Sequence, residues 1–383
     1  MPTDRWDVFC RVVDNFGDVG VSWRLARQIA REHGKRVRLF LDDLTVLAKL
    51  RPEIHPSYDE QKLDAVEVVR IGEPFDYLDV ADAVVETFGC DPPEAYVAAM
   101  AARDEKPRWI NLEYLSAEEW VEGSHALPSP HPRLPLTKHF FFPGFTSRTG
   151  GLLREESLLR RRDEFQADEG TRAAFWRSIV GEAPPEDALK VSLFSYAGAP
   201  VEALARACAQ GSGPVWVVAP EGYAASALDR WRLSDRARAS IRTFTIPFLA
   251  QDRYDLLLWA CDVNFVRGED SFVRAQWAGR PFVWHIYPTE DGAHWVKMSA
   301  FLARYTAGLD RLQAAAVTSM WEAWNRPVDG EGAESIKPSV AQSWAGFTAR
   351  REVLERHALF WAAALATRRD LAAELVDFVD NTL

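Results

Sequence analysis

Apolar positions along the chain fall into two alternating patterns. Short unbroken runs such as Val263 to Val266 and Val215 to Ala219 have the length and β-branched content of buried strands. Between them apolar residues recur three and four apart, as in Trp23, Leu25, Ala26, Ile29 and Ala30, which predict a helix over Val21 to Glu32 closed by Gly34. Read in order, the first part predicts a strand at Trp6 to Val13, a loop at Asp14 to Gly20, that helix, and strands at Val37 to Leu41, Val66 to Ile71, Ala83 to Glu86 and Arg108 to Leu112. Helices at Leu44 to Leu50 and Pro93 to Arg103 intervene, and Phe140 to Phe142 lead to Pro143-Gly144-Phe145 and the turn-rich Thr146 to Gly151, where the first domain's sheet is expected to end. Strand alternating with helix predicts a parallel sheet covered on both faces.

Arg154 to Gly181 reads as two charged helices that connect, and Pro184-Pro185 punctuates them. A second series then predicts strands at Lys190 to Tyr196, Val215 to Ala219, Ile241 to Ile246, Val263 to Val266 and Phe282 to Tyr287, with helices between. From Ala293 onward the spacing is helical throughout. The expected organisation is α/β: a first Rossmann-like domain over 1–150, connecting helices over 151–185, a second Rossmann-like domain over 186–355, and helices over 356–383 that return to the first.

Composition places limits on the chemistry. The 383 residues suffice for two domains, and 48% hydrophobic with 26% charged residues is globular composition. With 45 Lys plus Arg against 56 Asp plus Glu, the net charge of -11 argues against a nucleic-acid partner held by phosphate neutralisation. Cys10, Cys90, Cys208 and Cys261 are isolated and lack zinc spacing, which predicts reduced thiols in a cytoplasmic protein. No signal peptide is evident, and no apolar run reaches the ~18 residues of a membrane span. G-x-G-x-x-G, P-loop, G-x-S-x-G and H-E-x-x-H motifs are all absent.

Two segments carry candidate chemistry. At Arg267-Gly268-Glu269-Asp270-Ser271 a strand turns sharply into a helix. Such a helix start favours a phosphate, with Arg267 and Arg274 adding charge, although Glu269 to Ser271 could equally be a plain cap. Gln276, Trp277, His285, Tyr287, Glu290 and His294 follow, more polar and aromatic groups than a crossover needs. The other segment is Asp14 to Gly20, where two carboxylates four apart straddle a Gly after a strand end. Catalysis and turn-plus-cap roles both suit it.

Together, DNFGDVGVSWRLARQ (14–28) and RGEDSFVRAQWAGRPFVWHIYP (267–288), with SLFSY (192–196) and IPFLAQ (246–251), resemble the bacterial protein-arginine rhamnosyltransferases that modify elongation factor P, the EarP family. The resemblance runs the full chain; Thr289 departs from it, standing where Gln is expected. It implies a GT-B fold with two Rossmann-like domains facing across a cleft, and inverting transfer of L-rhamnose from dTDP-β-L-rhamnose to an arginine of elongation factor P, with no metal and no cofactor. By resemblance Asp18 is the general base and Asp14 a second essential carboxylate, while Asn15, Phe16 and Gly17 shape the sugar pocket. Tyr196, Arg267, Asp270 and Ser271 hold the diphosphate, and Phe248 and Gln251 read the thymine. Glu269, also counted among the catalytic carboxylates, would orient an arginine or accept from a sugar or ribose hydroxyl.

The chemistry can be rationalised on its own terms. A guanidinium, with a pKa above ~12, is a poor nucleophile; a carboxylate can align it and take its proton as the new bond forms. A helix start with Arg267 can stabilise the leaving diphosphate without a metal. Two alternatives stay open at this stage. One is a GT-B glycosyltransferase or sugar-nucleotide epimerase acting on a small molecule, and the other a non-catalytic nucleotide-binding module, which would not need Asp14 and Asp18.

Overall fold

The computed structural model describes residues 3–13, 15–211, 213–234, 240–326 and 338–382. Its strands are β1 (Arg5–Cys10), β2 (Arg36–Leu41), β3 (Glu60–Leu63), β4 (Val66–Arg70), β5 (Ala83–Thr87), β6 (Arg108–Leu112), β7 (Pro128–Pro130), β8 (Thr137–Phe141), β9 (Leu189–Leu193), β10 (Val215–Pro220), β11 (Ile241–Ile246), β12 (Val263–Arg267) and β13 (Phe282–His285). The chain divides into two compact units, Met1–Glu156 with Leu365–Leu383, and Ser157–Ala364. The two helices expected as a connector, Leu158–Ala167 and Glu169–Val180, therefore belong to the second unit, and the return to the first comes at Leu365 rather than at 356.

In the first unit eight strands run in the order β3-β4-β2-β1-β5-β6-β8-β7. Pairing is parallel except at the two edges, where β3 lies antiparallel to β4 and β7 antiparallel to β8. The edge strands escape a periodicity reading because Glu-Gln-Lys-Leu is mostly polar and Pro-Ser-Pro holds two residues that cannot donate to a ladder. One core cluster packs Phe9, Phe40, Tyr96, Met100 and Trp109 against Val69 and Val84. Phe9 and Phe40 stack at 4.6 Å between centroids, and Tyr96 meets Phe9 edge-on at 4.8 Å. β1 sits between β2 and β5, so strand order reverses there, the position at which α/β sheets hold ligands.

The helix after β1 starts at Asn15, not at Val21, and runs to Glu32. Gly17 and Gly20 each cost about 1 kcal/mol against Ala in a helix, which makes the stretch look like a loop. Packing overrides that, since Val19, Val21, Trp23 and Leu25 are all buried.

The second unit is a five-stranded parallel sheet, order β11-β10-β9-β12-β13, whose order reverses between β9 and β12. Beside it Phe272 stacks on Trp284 at 4.0 Å and Phe301 on Trp321 at 5.5 Å. Two buried indoles are hydrogen-bonded: Trp284 donates to the Gly268 carbonyl and Trp321 to that of Phe282, each at 2.9 Å. The four cysteines are free thiols; Cys10, Cys208 and Cys261 are buried and Cys90 half-buried. Among the described residues no helix is long and apolar enough to cross a membrane.

Candidate active site

At the order reversal of the second sheet, β12 ends on Arg267 and the helix Glu269–Trp277 begins two residues later. Gly268 makes this turn at φ 63°, a backbone region that side chains disfavour. The Arg267 guanidinium carbon lies 4.5 Å from the centroid of Phe194 and 4.5 Å from that of Tyr196, both just past β9. A cation caged by two ring faces keeps its charge while little of its motion remains. Ser271 spends its hydroxyl on the turn itself, accepting from the Arg267 N–H at 3.1 Å and donating to the Arg267 carbonyl.

His285, at the end of β13, is buried and accepts the Tyr196 backbone N–H on Nδ1 at 3.1 Å. Burial first, then the charges of Arg267 and His294, lower its pKa to about 4, so the ring is neutral and available as an acceptor. The His285 and Tyr196 rings meet edge-on with centroids 5.5 Å apart, and Tyr287 closes on the Tyr196 ring edge-on at 5.3 Å. Phe248, half-buried after β11, meets Phe194 at 6.3 Å.

In the first unit, Asp18 occupies the first turn of the helix Asn15–Glu32 and is 2% exposed. Its Oδ2 accepts from the Val13 N–H at 3.0 Å, and its Oδ1 accepts from the Tyr114 hydroxyl at 3.2 Å. Tyr114 stacks on Phe88 with centroids 4.2 Å apart. Phe16 is half-buried, with the Lys49 ammonium 5.8 Å from its ring centre, and Gly17 follows it on the same helical turn. Asn15 opens the helix. Asp14 lies outside the described residues.

The family described as Elongation-Factor P (EF-P) rhamnosyltransferase EarP matches residues 6–380. The chain belongs to the EarP family. A protein-arginine rhamnosyltransferase of Pseudomonas putida is 45% identical over 385 residues, 99% of each chain. A solved structure described as the structural basis for EarP-mediated arginine glycosylation of translation elongation factor EF-P is 34% identical, covers 99% of both chains and has a TM-score of 0.68. The protein is accordingly an EarP enzyme that transfers rhamnose to a protein arginine, and its fold is GT-B. A UDP-GlcNAc 2-epimerase of Neisseria meningitidis, 10% identical over 98% of this chain and 99% of its own, with a TM-score of 0.50, shares that fold alone.

Several residues singled out on sequence sit differently in this EarP member. Arg274 is 2% exposed and forks onto Asp255 at 2.9 and 2.7 Å, so its charge is matched inside the protein rather than offered to an anion. Gln276 and Trp277 are core residues; the Gln276 side-chain oxygen accepts from the Trp361 indole at 2.9 Å. Gln251, 3% exposed, donates its amide to Asp270 at 3.0 Å. His294 is bonded to Thr289, at 3.0 Å from its N–H. Glu269 is the first residue of its helix, half-buried. Phe194, Phe88 and Tyr114 were not anticipated. Phe194 lies inside the predicted strand Lys190 to Tyr196, and Phe88 and Tyr114 stand two residues past the predicted strand ends at Glu86 and Leu112.

Proposed function

We propose that this enzyme takes L-rhamnose from dTDP-β-L-rhamnose and attaches it, with inversion at the sugar carbon, to an arginine of elongation factor P in the cytosol, using no metal and no other cofactor. An arginine nitrogen bonds to C1 of the sugar as the bond from C1 to the diphosphate oxygen breaks. The electron pair leaves with dTDP, and the proton lost by the nitrogen passes to Asp18. Arg267, Tyr196 and the opening backbone N–H groups of the helix Glu269–Trp277 hold the diphosphate, because a helix start and a caged guanidinium are already oriented for the charge that develops there. Phe248 stacks on the base, Gln251 hydrogen-bonds it, and Asp270 helps to hold the diphosphate. Ser271 contributes its backbone and the shape of the turn. Asn15, Phe16 and Gly17 border the sugar, Asp14 assists Asp18, and Glu269 accepts from a sugar or ribose hydroxyl.

The observation that carries this reading is the caged Arg267 at the helix start, in a chain matched over nearly its whole length by an arginine rhamnosyltransferase family. The test is incubation with elongation factor P and dTDP-β-L-rhamnose in excess EDTA, followed by intact mass and by NMR of the anomeric centre. A gain of one deoxyhexose on arginine with inverted configuration is expected. No mass gain, a requirement for added divalent metal, or retained configuration would each overturn the corresponding part.

A further inference from the structure

We infer that Tyr114, seated on Phe88, is a positioning residue for Asp18: its hydroxyl orients the carboxylate and keeps it in the ionised form that receives the arginine proton. The inference rests on the reading of Asp18 as general base. A carboxylate has about four acceptor sites on its two oxygens, and Val13 and Tyr114 each address one oxygen. Together the two donors pin the plane of the carboxylate. The exposures fit this arrangement. Asp18 is 2% exposed and Tyr114 36%, so the phenol reaches from a partly exposed ring to a buried carboxylate.

The support of Tyr114 is itself built with care. Its ring lies nearly parallel to Phe88, at 14°. Phe88 stands at φ 60°, an unusual value for a residue with a β-carbon, and is held there by its N–H, which donates to the Leu112 carbonyl at 2.7 Å. Glu113 is tied in turn to the Phe141 carbonyl at 3.0 Å. The ends of β5, β6 and β8 thereby fix the phenol over the first turn of the helix that carries Asp18. A ring needed only for packing would not require a hydroxyl aimed at a carboxylate.

The test is Tyr114→Phe, which keeps the stacked ring and removes only the oxygen. At matched melting temperature, kcat for arginine rhamnosylation is expected to fall roughly tenfold, the loss typical of one hydrogen bond to a charged group. The acid limb of the kcat profile should move to higher pH, since a donor to the ionised form has been lost, while dTDP affinity stays as in the wild type. Phe88→Leu, which leaves the hydroxyl but removes its seat, should lower kcat in the same direction by less. Unchanged kcat and pH profile in Tyr114→Phe, with Asp18→Asn inactive, overturns the role of Tyr114 and leaves the base assignment standing. Near wild-type turnover in Asp18→Asn overturns the base assignment and this inference with it.

Discussion

The turn at Arg267 and the turn at Asp18 are built on one plan and finished in different ways. Each follows a parallel strand at an order reversal and opens a helix. At Arg267 the side chain is a cation, caged by aromatic rings and reinforced by the positive end of the helix. At Asp18 the side chain is an anion on the first helical turn, favoured by that same positive end and held by two hydrogen-bond donors. One scaffold thus supports opposite charges, and the neighbours decide what each can do. Aromatic faces hold the Arg267 guanidinium in place, whereas polar donors orient the Asp18 carboxylate.

The comparison breaks most visibly at Asp18. Asp18→Asn can keep both local contacts, with its oxygen accepting from Val13 and its amide donating to the Tyr114 oxygen, so the melting temperature should match the wild type. It cannot take a proton, and the rhamnosylation rate should fall at least ~10²-fold with donor binding intact. Equal turnover at equal stability would make Asp18 a structural residue. At the other turn, Arg267→Ala should weaken dTDP binding measured by calorimetry by about 1.5 to 3 kcal/mol, the range for a charge-assisted contact. Unchanged affinity would show that the backbone of the helix start suffices alone.

The smallest effect separates the two turns by their titrating neighbours. His285 has an ordinary pKa near 6.5 when unfolded and about 4 in the folded chain, so between those values the unfolded state binds more protons. Stability from this site is whole above pH ~6.5 and is lost as the pH falls toward 4, by about 1 to 2 kcal/mol between pH 6.5 and 5. Denaturant unfolding at several pH values should show this slope in the wild type and a flatter one in His285→Asn. Identical slopes would remove His285 as the support beneath Tyr196.

How much of this was legible in the sequence depends on how local each cause is. The strand-turn-helix at Arg267 could be read because strand, Gly, polar opening and helix all lie between Val263 and Trp277. The start of the helix at Asn15 could not, because two glycines argue against it locally and only the burial of Val19 and Trp23 decides for it. The partners of the charged groups were hidden for a similar reason. Phe194 reaches Arg267, and Tyr114 reaches Asp18, from strands far away along the chain. Arg274 and Gln276 looked functional by company alone, and their partners Asp255 and Trp361 lie well outside the segment that carries them.

The chain leaves the first unit at Glu156 and rejoins it at Leu365, and this governs the order in which the enzyme can be made. Leu371 donates its N–H to the Leu152 carbonyl at 3.0 Å, Gln28 reaches Asp370 at 3.0 Å, and Lys35 reaches Asp380 at 2.6 Å. On the ribosome those partners emerge only after all of Ser157–Ala364 has been translated. The second unit can therefore complete itself while the first still waits for its last helices.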